Sequence, residues 1–225
     1  MQQNHNTSPH APSIANTIGG VGILLSPKAL LSLTSVKKIS SRIIITNFNG
    51  NPATTIISCY SPTNVADEQE GDTFYSELSH ASRTAPKHNM LILGGDMNAQ
   101  LGKNQHGKYA LHETTNRNGT HLENFLQEND LCYLNTHFQK KKSELWTHTY
   151  PNGIKAQLDY ILINKKWINS AHNCEAYSSF EGVSSDYRIV SCKIQLGLRA
   201  NKTKTLKIPR YDWPQFMCNT NIQDK

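Results

Sequence analysis

Asp96 and Asn98, in the run M-L-I-L-G-G-D-M-N over residues 90–98, are the pair whose types and spacing best suit chemistry. Four apolar residues read as a buried strand, two glycines stop it, and the acid and the amide follow at once. Residues two apart on an extended chain project to the same side. A carboxylate and an amide therefore converge beyond a strand end, where glycine lets backbone or ligand come close. The same residue types also close ordinary hairpin turns, and this second reading stands beside the first.

Two later stretches give the pair its context. In Q-L-D-Y-I-L-I, residues 157–163, alternation puts Leu158, Tyr160 and Leu162 on one face of a strand and Asp159, Ile161 and Ile163 on the other. An Asp among apolar neighbours is costly unless it is paired or hydrogen-bonded, so Asp159 needs a partner. In S-S-D-Y-R, residues 184–188, Asp186 and Tyr187 stand at the start of the last strand.

The elements that must position these groups are mostly strands. Residues 19–26, G-G-V-G-I-L-L-S, open a first strand. Residues 42–48 and 54–60 are β-branched runs joined by Asn49-Gly50-Asn51-Pro52, a hairpin signal, and the second run ends at Tyr60. Acidic Asp67 and Glu68, apolar Phe74, Leu78 and Ala81, and a basic Arg83 mark an amphipathic helix. Residues 102–119 form a long polar loop. Residues 120–129 form a second helix, with Thr120 and Glu123 spaced as a capping box. Strand-like runs follow at 131–135, 146–149, 156–164, 172–178 and 188–196, with a hairpin at Pro151-Asn152-Gly153. Lys140–Lys142 is a solvated loop or a phosphate contact. The pattern implies an α+β domain of two mainly antiparallel sheets packed face to face, with helices outside.

Residues 1–17 are polar and aperiodic and read as disordered, residues 18–198 as the domain, and residues 199–225 as a basic linker or tail. The 225 residues carry 23 Lys and Arg against 17 Asp and Glu, for a net charge of +6, which favours a polyanionic partner. Five cysteines form no C-x-x-C pair and no zinc spacing, and read as small buried hydrophobes in a reducing compartment. No apolar run is long enough to span a membrane, and no segment reads as a secretory signal, so the expected location is intracellular, nuclear or cytoplasmic.

Read together, G-D-M-N, L-D-Y-I-L and S-S-D-Y-R resemble the G-D-x-N, x-D-Y-I/F and S-D-H-x boxes of the endonuclease/exonuclease/phosphatase superfamily. C-Y-S-P at 59–62 resembles its Tyr-bearing strand end. The details, including R-Y-D-W at 210–213, are most similar to the apurinic/apyrimidinic-endonuclease-like domains of non-LTR retrotransposons. The resemblance implies a four-layer α/β/β/α sandwich and a DNA phosphodiesterase using Mg²⁺ or Mn²⁺. It also implies a reverse transcriptase domain in full-length relatives. It gives Asp96 the attacking water, Asn98 the same water or the phosphate, and Tyr60 a hydrogen bond to the scissile phosphate. Asp186 would carry the metal. Asp159 would orient a His following Asp186, and that His would stabilise the transition state.

Two departures follow from the same comparison. Tyr187 stands in place of the His, and a phenol donates one hydrogen bond but offers no cation. The family's upstream Asn and metal-binding Glu precede the G-G-V-G run, and residues 1–66 contain no Asp or Glu. The expectation is therefore a domain lacking its first strands, with an incomplete metal site and weak or no cleavage. A catalytically dead retrotransposon remnant that binds nucleic acid non-specifically is the alternative, and a phosphatase of the same superfamily is the second.

Overall fold

The computed structural model describes residues 20–103, 109–177 and 185–197. The segments read above as a disordered start and a basic tail, and Ser184 of the S-S-D-Y-R run, lie outside the described residues.

After a single helical turn, α1 (Pro27–Leu30), come β1 (Leu33–Lys38), β2 (Ile43–Phe48) and β3 (Thr54–Tyr60). Helix α2 (Glu68–Thr84), strand β4 (Met90–Asp96), helix α3 (Arg117–Glu128) and β5 (Leu131–Tyr133) follow. The chain then forms β6 (His148–Thr149), β7 (Lys155–Ala156), β8 (Asp159–Asn164), β9 (Ala171–Tyr177) and β10 (Ile189–Ile194). Six strands make one sheet in the order β1-β2-β3-β4-β8-β5, while β9 pairs with β10 and β6 with β7. Only β3 and β4 run parallel, because α2 is the crossover between them; the other pairs are antiparallel.

The two faces of the sheet cover different cores. Phe74, Leu78 and Ala81 of α2 and Leu122, Phe125 and Leu126 of α3 pack on Ile43, Ile57, Leu93, Tyr160 and Leu162. On the other face, Ile161 and Ile163 meet Cys174 of β9 and Val190, Cys192 and Ile194 of β10. The alternation read from residues 157–163 thus divides β8 between two cores. The fold is α+β, with a multi-stranded sheet, smaller sheets and helices. Among the described residues both long helices lie on one face.

Five local expectations are corrected. Residues 20–26 are not a strand; Leu24 is fully exposed, nothing lies within 4 Å of a Cβ built at Gly20 or Gly22, and among the described residues no strand pairs with this run. Gly94 and Gly95 do not stop β4, which runs through them to Asp96. Helix α3 is capped by Asn116, whose side chain accepts from the Gly119 N–H at 2.7 Å, four residues before the Thr120 cap expected. The run at 156–164 breaks at Gln157 and Leu158, so β7 belongs to a hairpin and β8 to the main sheet. Lys140 is no solvated loop residue, since its ammonium pairs with Glu175 at 2.5 Å.

Candidate active site

The ends of β3, β4 and β8 place three of the sequence-selected residues in one row. In the parallel pair Tyr60 lies opposite Asp96, and in the antiparallel pair Asp96 lies opposite Asp159. The backbone ladder continues past Asp96 on both sides: its carbonyl accepts from the Ser61 N–H at 2.9 Å, and the Met97 N–H donates to the Leu158 carbonyl at 2.9 Å. Asp96 is fixed by its neighbours, not by a flexible loop. The glycine before it permits this closeness, because a Cβ at residue 95 would run into the Cys59 carbonyl oxygen.

Asp96 accepts two hydrogen bonds. The Asn98 N–H donates to Oδ1 at 2.8 Å and the Tyr187 hydroxyl donates to Oδ2 at 3.1 Å. Burial raises its carboxyl above the ordinary range, against the pull of the Asn98 N–H, the Tyr187 hydroxyl and nearby His148. Asp159 is pushed up to about 7, by burial first and by the charge of Asp96 opposite it second, while the Thr147 hydroxyl pulls the other way. Its Oδ2 is buried and has no hydrogen-bond partner among the described residues. The partner that Asp159 was expected to need is therefore missing on that oxygen.

Asn98 is a turn residue with φ 45°, so the chain is not extended from 96 to 98. Its amide donates to the Ser61 carbonyl at 3.0 Å, and its own carbonyl accepts from Asn118 at 3.2 Å. What Asn98 gives Asp96 is a backbone N–H, not a convergent side chain. Tyr60 is half-buried, with the Arg42 guanidinium 5.3 Å from its ring centroid.

The start of β10 is tied to the hairpin of β6 and β7. His148 and Tyr187 form an isolated antiparallel bridge, the Thr149 N–H donates to the Asp186 carbonyl at 2.8 Å, and the Arg188 N–H donates to the Thr147 carbonyl at 2.7 Å. This short ladder brings Tyr187 over Asp96. Burial raises the Tyr187 phenol above its ordinary range, and the Asp96 charge adds to it, so the group is a neutral donor. Its one proton goes to Asp96. Asp186 is exposed and no hydrogen bond or ion pair of its carboxylate is seen among the described residues.

Sequence reasoning missed His148 and Asn118. The His148 ring lies 4.6 Å from that of Tyr187 and 4.7 Å from that of Tyr150, and its Nδ1 is buried without a hydrogen-bond partner among the described residues. Its signal is faint: His148 opens a two-residue strand, β6, too short to show a periodicity. Asn118 is buried and donates to the carbonyls of Pro62 and Asn98, pinning α3 to the row.

Among the described residues no group of three or more His, Cys, Asp or Glu is placed to hold a metal ion. A hard cation such as Mg²⁺ needs several oxygen donors, and Asp186 alone on an exposed turn does not fit that demand.

Craniofacial development protein 2 of Bos taurus is 30% identical over 186 residues, covering 80% of this chain and 31% of the relative. That of Tragulus javanicus is 29% identical over 186 residues, so the chain spans about a third of the curated relatives it matches. Among solved structures, the endonuclease domain of TRAS1, a telomere-specific non-LTR retrotransposon, superposes with a TM-score of 0.53 at 16% identity, over 71% of this chain and 66% of that one. A 3'-5' exonuclease from Neisseria meningitidis gives 0.54 at 15% identity, over 69% and 66%. Residues 54–191, which hold the whole row and Tyr187, match the endonuclease-reverse transcriptase family. This chain therefore belongs to that family, within the endonuclease/exonuclease/phosphatase superfamily.

Proposed function

We propose that the domain binds and hydrolyses phosphodiesters of nucleic acid as an endonuclease, with Asp96 as the group that takes the proton of the attacking water. The carrying observation is the row Tyr60–Asp96–Asp159 at one sheet end. A buried carboxylate held by two donors, with its affinity for protons raised, suits a general base. Asp159 holds a proton through much of the neutral range and is a donor candidate for the leaving oxygen. Tyr60, at the edge of the row, reaches for the phosphate.

Specific contacts favour low turnover. Tyr187 spends its proton on Asp96, and the Asn98 amide is spent on the Ser61 carbonyl, so neither is free for the phosphate. Losing one preorganised donor costs on the order of 10²–10³ in rate. This supports the second reading, a domain that binds nucleic acid and barely cleaves it. Metal dependence rests on the superfamily alone, since the described residues around Asp186 do not make a cation site; a reverse transcriptase domain in a full-length relative is part of the same proposal.

Nicking of supercoiled plasmid, with Mg²⁺ or Mn²⁺ added, tests it. Nicks made by the wild type and lost in Asp96→Ala support the endonuclease. Binding with salt-sensitive affinity and no nicks in either metal supports the binding reading. Neither binding nor nicking sinks both.

A further inference from the structure

We propose that Cys174 and Cys192 form a dithiol that a small-molecule disulfide such as oxidised glutathione converts into a cross-strand disulfide, fastening β9 to β10.

The register sets the two cysteines against each other. In the antiparallel β9–β10 pair Cys192 is the Cα partner of Cys174, and the one irregularity of the pair falls beyond them, between Lys193 and Ile194. Directly opposed residues of such a pair lie about 4.5–5.5 Å apart at Cα and point to the same face. A disulfide spans a Cα separation of about 4.4–6.8 Å. Both side chains turn to the core that holds Ile161 and Ile163: Cys174 is fully buried in it, and Cys192 packs against it half-buried. Both are free thiols in this structure.

The two sulfurs differ in access. The Cys174 S–H donates to Asn135 Oδ1 at 3.7 Å, and burial raises this thiol, with the nearby Cys192 sulfur adding to the rise. Cys192 is the more exposed of the two, so a reagent meets it first.

The exchange balances with the small disulfide as its only oxidant. The Cys192 thiolate attacks one sulfur of the reagent, whose S–S bond breaks, and one small thiol leaves. The Cys174 thiolate then attacks Cys192 Sγ, the mixed disulfide breaks, and the second small thiol leaves. The two protons of the protein thiols end on the two leaving thiols, so the protein is oxidised and the reagent reduced. Burial raises both protein thiols, which keeps the thiolate fraction small at neutral pH and the exchange slow.

The position of the bond gives it an effect. Among the described residues β9 and β10 pair only with each other, and a two-stranded sheet is marginal by itself. A link from residue 174 to residue 192 restricts the unfolded chain and ties down the strand that follows Tyr187. This inference goes beyond the phosphodiesterase reading and stands or falls without it.

The full chain, purified reduced, is exposed to oxidised glutathione at mildly alkaline pH and then returned to dithiothreitol. The expected product is lighter by two hydrogens, shows a Cys174–Cys192 link in its peptide map, and unfolds roughly 5–10 °C higher than the reduced chain. Dithiothreitol should reverse all three changes. Cys192→Ala and Cys174→Ala should each abolish the internal bond; if Cys174→Ala does not fold, the wild-type map and Cys192→Ala decide. Cys132→Ala should leave the bond intact, although Cys132 belongs to the same core and donates to the Ile163 carbonyl at 3.3 Å. A lasting glutathione adduct on Cys192 without an internal bond, a link to any other cysteine, or an unchanged mass overturns the pair. An internal bond that leaves the unfolding midpoint where it was overturns the fastening of β9 to β10.

Discussion

The two ends of the β4–β8 pairing are built on opposite principles. At the far end Ile92 faces Ile163 and Leu93 faces Leu162, and beyond them polar side chains close on one another. Asn164 accepts from the Leu91 N–H and donates to the Asn89 carbonyl, both at 3.1 Å; Asn89 donates to Thr55 at 3.1 Å, and Thr55 to Asn47 at 2.8 Å. At the near end Asp96 faces Asp159, like charges across a strand pair, beside two buried polar atoms left unmatched. Opposed acids destabilise a sheet. The cohesive end holds the repulsive end in place. Strain of this kind is characteristic of functional sites and is offset elsewhere in the fold.

The comparison breaks most severely at Gly95. Gly95→Val should destabilise the domain by about 3 kcal/mol or more, because the new side chain meets the Cys59 carbonyl and not a flexible side chain. Thermal unfolding should show a drop of roughly 10 °C. A midpoint unchanged within error would mean that β3 and β4 can part there.

Asn164→Ala tests the closed end. It orphans the Leu91 N–H and the Asn89 carbonyl and should cost about 1–3 kcal/mol in urea unfolding. Duplex binding should stay at the wild-type level, since the far end does not touch the phosphate.

Asp159→Asn sharpens the contrast with the opposite sign. The folded carboxyl sits at about 7, above the ordinary value near 4 in the unfolded chain. Between these the folded state binds more protons than the unfolded state, so wild-type stability falls as pH rises from about 4 to about 7 and levels off above. The Asn variant lacks this loss. It should be more stable than wild type by about 4 kcal/mol at pH 8 and equal to it near pH 3.5. A gain of the same size at both pH values would mean that the effect is not the carboxyl's titration.

Lys155→Ala is the mildest change. The Lys155 ammonium lies 4.4 Å from the Trp146 ring centroid on the β6–β7 hairpin; if it neutralises one phosphate, its loss should lower the salt slope of duplex binding by about 0.9, and an unchanged slope would leave it out of the contact. Stability should hardly move.

Much of this was legible in the sequence. Tyr60, Asp96 and Asp159 could be placed because each ends or begins a strand with clear apolar alternation, and a strand end is a position that a one-dimensional pattern specifies. What the pattern could not specify was who faces whom. That Tyr187 reaches Asp96 and not Asp159 is set by the bridge between residues 148 and 187, a contact between distant segments. His148 escaped notice because a two-residue strand has no periodicity to read. The G-G-V-G-I-L-L-S run misled for the opposite reason: its composition suits a strand, but a strand needs a neighbour, and none pairs with it among the described residues. The convergent amide expected of Asn98 failed because a left-handed turn redirects its side chain.

Gly95 also has a genetic consequence. Any nucleotide change in the first two positions of a glycine codon inserts a side chain or ends translation, and every such side chain begins with the atom that the Cys59 carbonyl excludes. A copy of this gene drifting without selection can therefore lose its acid in two ways, by altering Asp96 itself or by leaving it intact on a displaced strand. An inventory of acidic residues alone would count the second kind of copy as functional.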